Sequence, residues 1–320
     1  MLQSGPVYCI LTSAFWAISS LFATRSIRSI GAPLYNCLRL ICGGVVIGLI
    51  AVLTGPLVMP ALRDSLYLLG SSIIGLTLGD LLLFHGFSIL GARRSTLIFM
   101  LNIPITAALG IALFQEELTT RQLLGSVIGL VGICIATLVN SPRSVAANPS
   151  SERHQVDEIR GKLWHGISFC LLAAFCQSCG LLLLKPVLME QRYSIPQVAM
   201  MRFALAAFFA SALYLNAIPL SARGVQGTGR FAFVEQELAK MSRSTVANTA
   251  AAIVLGGVIG FILYVTGISK TPASLAALFT SLSPLFVLPF LFLYTGKLPP
   301  PAAWAGAAIG LTGVYLCLVP

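Results

Sequence analysis

Charge is what this chain has least of. Of its 320 residues 20 are Lys or Arg and 10 are Asp or Glu, 9% together, against 57% hydrophobic residues and a mean hydropathy of +0.91. That is too little polar surface to cover a water-soluble globule of this size, so lipid must be the solvent. Histidine is nearly absent as well, with three in the chain. There is no HExxH, no Gly-rich phosphate loop, no clustered acidic metal motif, and no Cys or Ser nucleophile with a recognisable base. These absences leave no catalytic residue, cofactor or metal ligand to expect. The formal charge of +10 does not form a nucleic-acid patch, because the basic residues are scattered singly or in pairs through short connections. All eight cysteines fall inside apolar runs, and Cys176-x-x-Cys179 lacks the second pair or histidine of a metal site. They read as small packing residues.

What the chain has instead is a series of long uncharged runs. A helix needs about 20 apolar residues to cross a hydrocarbon core of about 30 Å. Ten such runs are present, at roughly 6–24, 33–53, 66–90, 95–114, 121–139, 164–184, 196–218, 246–268, 272–294 and 301–319. They are apolar all round, unlike the short alternating segments of a membrane barrel. No Lys or Arg precedes the first run and no small-residue cleavage site follows "SAFWAISSLF", so it reads as helix one, not as a secretory signal. The expectation is an all-α integral membrane protein with ten transmembrane helices.

The two halves match. "GSVIGLVG" from Gly125 and "GAAIGLTG" from Gly306 share the pattern G-x-x-x-G-x-x-G at an offset of 181. "SAFW" from Ser13 aligns with "AAFC" from Ala173, and Arg25 with Lys185, at 160. "PLYNCLR" from Pro33 aligns with "PQVAMMR" from Pro196 at 163, and Phe99 and Pro104 with Phe279 and Pro284 at 180. Offsets that rise in order describe one duplicated unit with lengthened loops. Five helices is an odd number, so the second copy enters the membrane from the opposite side. This makes two inverted five-helix repeats, an arrangement that can rock about a midplane site. The divisions expected are 1–140 and 164–320 for the repeats, with a polar linker at 141–163. The glycine rows are small-xxx-small patterns that let helices approach closely.

The repeat, the "FHGFSILGARRSTLIFMLNIP" stretch, its partner "YVTGISKTPASLAALFTSLSP", the following "FQEELTTRQLLGSVIGLVG" and the P-x5-R that opens the second helix of each half resemble the ten-helix EamA branch of the drug/metabolite transporter superfamily. One departure is that Glu116-Glu117 has Gly296-Lys297 in the second half. The resemblance implies a secondary transporter, an exporter or exchanger, of a small metabolite such as an amino acid or nucleoside-like compound. It implies a multi-pass protein of a bacterial inner membrane, with a small-molecule substrate, a coupled proton and membrane lipids as its partners.

Candidate site residues follow from comparing the halves. Arg39 and Arg202 are symmetric and lie about 9 Å past a helix-opening proline. They read either as anchors snorkelling to the headgroups or as paired cations facing a cavity. Pro104 and Pro284 are also symmetric; each removes a backbone donor, which fits an interrupted helix at a cavity or a simple kink. Asp80 is unmirrored, facing Gly260 or Phe261. Near the middle of a span it costs on the order of 2.5–3.5 kcal/mol, so it should face the interior, to carry a proton, bind an ammonium group or pair with an arginine. His85, also unmirrored, points about 140° from Asp80, which gives no dyad. Asn102, matched by Leu282, is a polar contact for substrate; Trp16, matched by Cys176, is a flat apolar wall; Gln177 and Tyr264 complete the set. An integral-membrane enzyme on a lipid-linked substrate, with Asp80 and His85 as acid and base, is the alternative class.

Orientation divides the indicators. The connections after helices 1, 3, 5, 7 and 9 hold 13 Lys and Arg and the opposite face holds 5, which by the positive-inside rule places both termini outside. The resemblance places both in the cytoplasm, and a reporter fused at Pro320 decides between them. The run "FVEQELAKM" in the 219–245 connection reads as a short interfacial helix.

Overall fold

The computed structural model describes residues 4–116, 118–139, 161–217, 230–286, 289–290 and 301–318. Among these residues seven helices are long and apolar enough to cross a membrane, and three shorter apolar ones bring the number to ten. The first repeat holds α1 (Ser4–Ile30), α2 (Ala32–Thr54), α3 (Leu62–Leu90), α4 in two pieces (Ala92–Phe99 and Asn102–Phe114) and α5 (Thr120–Val139). The second holds α6 (Leu163–Met189), α7 (Ile195–Ala217), α8 (Arg243–Ser269), α9 (Ala273–Phe286) and α10 (Pro301–Leu318). Among the described residues there is no strand. A short helix, Arg230–Ala239, occupies the connection before α8 where the amphipathic run sits. The 141–160 part of the expected linker, Glu117, Gly296, Lys297, Pro320 and part of the 272–294 run lie outside the described residues.

Helix joints are made by residues that tolerate them. Gly31 and Gly91 sit at φ +82° and +80° between α1 and α2 and between α3 and α4, a conformation glycine adopts at no Cβ cost. The outward faces carry Val45, Leu49, Val52, Leu53, Leu124, Val127 and Phe208, large and exposed, as a lipid-solvated bundle requires.

Each helix of the first repeat packs against an element of the second: α1 on α8, α2 on α7, α3 on α6, α4 on α9 and α5 on α10. The last pair uses both glycine rows at once. A Cβ on Gly132 would stand 2.1 Å from the Gly310 nitrogen, and one on Gly313 would stand 2.2 Å from the Gly129 nitrogen, so the two backbones touch where the sequence omits side chains.

The structure adds a symmetric feature the apolar runs did not announce. The middle of α3, Ser72–Gly79, and the middle of α8, Ile253–Gly260, are both wound as π-helix, 181 positions apart. That register makes Phe261 the mate of Asp80, since each follows its π segment directly. Wide turns leave carbonyls under-used, and neighbouring side chains take them up. Trp16 Nε1 donates to Gly256 O (3.2 Å), Ser19 Oγ to Ala252 O (3.0 Å) and Arg202 Nη2 to Ser71 O (3.2 Å).

α4 and α9 are interrupted at matching places. Met100–Leu101 and Ser281–Leu282 are tight turns between helical pieces, with three-residue bonds such as Ile103 N to Met100 O (2.9 Å) and Leu285 N to Leu282 O (2.9 Å). Pro104 and Pro284 therefore stand in the first turn of the following piece, where a missing N–H costs little, and not in the middle of a continuous helix.

Candidate functional site

Between the repeats lies a cavity of about 990 Å³, its mouth included, lined by α1, α2, α3, α4, α6, α8 and α9. The contributing stretches are the later part of α1, the start of α2, the end of α3, the start of α4 and the end of α9. It therefore lies toward the face opposite the termini. A smaller chamber, with room for about one water-sized group, adjoins it deeper in the bundle, sharing Trp16, Phe99, Gln177, Thr280 and Ser281 with its wall.

The charged element of the wall is a salt bridge. Arg39 Nη2 donates to Asp80 Oδ2 at 2.5 Å, with side chains 10% and 16% exposed, and also to Asn36 Oδ1 at 3.3 Å. The guanidinium carbon lies 5.3 Å from the centroid of Phe84 and 5.7 Å from that of Phe203, within cation–π range. Among the described residues Arg39 Nε has no hydrogen-bond partner. Arg39 thus does not snorkel to the headgroups. A carboxylate within reach decides the direction of its side chain. Asn36 follows the same logic at i−3 and Phe84 at i+4 from Asp80, positions that share a helix face; this spacing could have found both.

Arg202 is buried at 2% exposure and likewise does not reach the headgroups. It lies behind the wall, against Gly75 and Ser71 of α3, with its guanidinium carbon 5.3 Å from the centroid of Phe261. The rings of Trp16 and Tyr264 meet at a tilt with centroids 5.1 Å apart, and Gln177 Nε2 donates to the Tyr264 hydroxyl at 3.3 Å. Asn102, 5% exposed, accepts from Ser281 Oγ at 3.1 Å and so ties the two interrupted helices together. Pro284 lines the large cavity; Pro104 is exposed on the outer surface and lines neither space. His85 also stands apart, its Nδ1 2.9 Å from Leu81 O and its ring 5.4 Å from that of Phe169. The geometry thus brings together Trp16, Arg39, Asp80, Asn102, Gln177, Tyr264 and Pro284. It adds Tyr35, Phe84, Phe87 and Phe99, aromatic residues that an apolar run hides.

On the termini side the bundle is closed by two polar clamps. Lys185 Nζ donates to Ile268 O at 2.7 Å and to Thr271 O, satisfying carbonyls at the end of α8. The Glu116 carboxylate accepts from Ala273 N (2.6 Å), Ser274 N (3.2 Å) and Ser274 Oγ (2.5 Å), capping α9 where its dipole favours an anion. Sequence comparison noted Lys185 only as the mate of Arg25, and Glu116 only as unmatched. Among the described residues no group of three His, Cys, Asp or Glu could hold a metal ion.

A model of the EamA-like transporter family matches residues 3–138 and again 164–319, one match to each repeat. A solved structure titled "Crystal structure of protein" superposes with a TM-score of 0.69 at 15% identity, covering 99% of this chain and 98% of that one; at that identity it shows the fold alone. No curated protein matches the chain.

Proposed function

Because the chain belongs to the EamA-like transporter family, whose members are membrane transporters, we propose that it exports or exchanges a zwitterionic, amino-acid-like metabolite by alternating access at the cavity between its repeats. The observation that supports this reading is the Arg39–Asp80 pair, the charged element of a wall otherwise built of aromatic, aliphatic and neutral polar side chains. A cation alone would have to displace Arg39 from Asp80, and an anion alone would have to displace Asp80 from Arg39. A zwitterion replaces both halves of the pair at once, carboxylate to guanidinium and ammonium to carboxylate, so neither buried charge is left uncompensated. The aromatic rings take up the apolar body of the substrate. A nucleoside-like compound lacks the two charges and uses the pair less fully.

The clamps at Lys185 and Glu116 hold one side shut while the cavity lies toward the other, which fits one of the two states that alternating access requires. Asp80 is also the residue placed to carry a coupled proton, since protonating it would release Arg39. The enzyme alternative needs Asp80 and His85 together, and they stand on different sides of α3.

A thermal-shift screen of the purified protein in detergent, against a metabolite library at two pH values with Asp80→Asn alongside, tests the reading. Ligand binding to the folded state raises the melting temperature with the logarithm of concentration. Stabilisation by amino acids in the wild type, lost in Asp80→Asn, is the expected result. Stabilisation only by a lipid-linked compound would favour the enzyme.

A further inference from the structure

The smaller chamber differs from the cavity above it. Its polar lining is neutral: Asn102, Thr106, Gln177, Tyr264, Thr280 and Ser281. All but Gln177 are buried, and buried polar groups are ordinarily paired. Here several are only half used. Asn102 accepts through Oδ1 from Ser281, but among the described residues its Nδ2 has no acceptor. The Tyr264 hydroxyl accepts from Gln177 Nε2 and, among the same residues, donates to nothing, while Gln177 Oε1 accepts from nothing. The hydroxyls of Thr106, Thr280 and Ser281 donate to Ser178 Oγ, Ala276 O and Asn102 Oδ1, which leaves their oxygens as acceptors. The chamber thus presents unused donors from Asn102 and Tyr264 opposite unused acceptors from Gln177 and the hydroxyls. Trp16 and Phe99 belong to the walls of both spaces.

We propose that this chamber is a second subsite, reading a neutral hydrogen-bonding end group, a hydroxyl or carboxamide, on a substrate whose charged end lies on the Arg39–Asp80 pair. Such a group both accepts and donates, which is what the unused atoms of Asn102, Tyr264 and Gln177 call for. A methyl or bare ring edge would leave them unsatisfied, and a site built on hydrogen bonds rejects the analogue that lacks them. The pseudo-symmetric position of Asn102 holds Leu282, so only one half of the protein supplies this contact. The inference rests on the zwitterion reading above.

The test is the affinity of the purified full chain for two matched pairs, L-tyrosine against L-phenylalanine and L-glutamine against L-methionine, by isothermal titration. At least one polar member should bind about tenfold tighter than its apolar partner. Asn102→Leu and Tyr264→Phe should erase that preference, weakening the polar member of the pair more than its apolar partner. Equal wild-type affinities within both pairs would overturn the subsite and leave the zwitterion reading standing, and this comparison does not depend on any variant folding. Binding by none of the four would overturn both. A preference that survives in both variants, each with an unchanged melting profile, would also overturn the subsite.

Discussion

The Arg39 guanidinium donates to the Asp80 carboxylate across 2.5 Å, in the place where the second repeat sets Arg202 against the ring of Phe261 at 5.3 Å. The two arginines are mates, and so are Asp80 and Phe261. An inherited symmetric frame therefore holds one ion pair and one cation–π contact, and the lining of the cavity includes the ion pair and Phe261 but not Arg202. Losing the symmetry at one residue gives the cavity a single charged end.

Removing one member of that pair should cost more than removing both. Asp80→Asn leaves Arg39 largely buried without its counter-charge, a change that typically destabilises by about 3–5 kcal/mol. Arg39→Met combined with Asp80→Leu should melt closer to the wild type than Asp80→Asn does. A double variant that melts below the single one would show that the pair is a source of stability.

The glycine contact between α5 and α10 predicts a sharp steric response. Gly132→Ala puts a methyl 2.1 Å from the Gly310 nitrogen and should destabilise by about 1–3 kcal/mol through forced separation of the helices. Gly55→Ala, with nothing within 4 Å of the added carbon, should change stability by no more than about 0.5 kcal/mol. Denaturant titration of both variants in detergent checks the contrast.

Opening the termini side should expose Cys9. This thiol is fully buried and packs against Gly267 of α8, beside the end that Lys185 holds. Lys185→Met frees the carbonyls of Ile268 and Thr271, and Glu116→Gln weakens the cap on α9. Each should raise the rate of maleimide labelling at Cys9 by about tenfold, with Cys9 kept as the only cysteine. An unchanged rate would mean that the clamps do not hold this side closed.

A pH effect is expected outside the membrane, in the turn before α7. The Tyr193 hydroxyl donates to Asp64 Oδ2 at 2.7 Å, and that hydrogen bond, with burial as the next cause, raises the tyrosine pKa above its ordinary value of about 10. The folded state therefore holds this proton more tightly than the unfolded one. The contribution is fully present below about pH 10 and is lost as the pH rises through the folded pKa. Tyr193→Phe should lose about 1 kcal/mol at neutral pH and show a shallower loss of stability in alkali, measured by melting temperature against pH.

How much of this was legible in the sequence depended on what each signal encodes. Apolar run length encodes spanning, so the helices were found within a few residues, and the glycine rows encoded a contact that the structure places between α5 and α10. The prolines marked interrupted helices, but the breaks come earlier, at Met100–Leu101 and Ser281–Leu282, because the turn belongs to the residues that lose their helical bonds. The π segments were silent, since Ile, Leu and Gly suit an α-helix through the same stretch equally well. Arg39 was left with two directions, toward the headgroups or into a cavity, because its partner is 41 positions away. The clamps at Lys185 and Glu116 bond backbone atoms of a distant joint, and no spacing rule connects 116 to 273.

The measurement that tests the central claim most directly is counterflow in proteoliposomes: accumulation of radiolabelled amino acid into vesicles preloaded with the unlabelled compound. The account predicts saturable accumulation by the wild type, abolished by Asp80→Asn and by Arg39→Gln in protein that still inserts and folds. Accumulation that persists in both variants, or none for any zwitterion under conditions where the protein transports a non-zwitterionic metabolite, would contradict it.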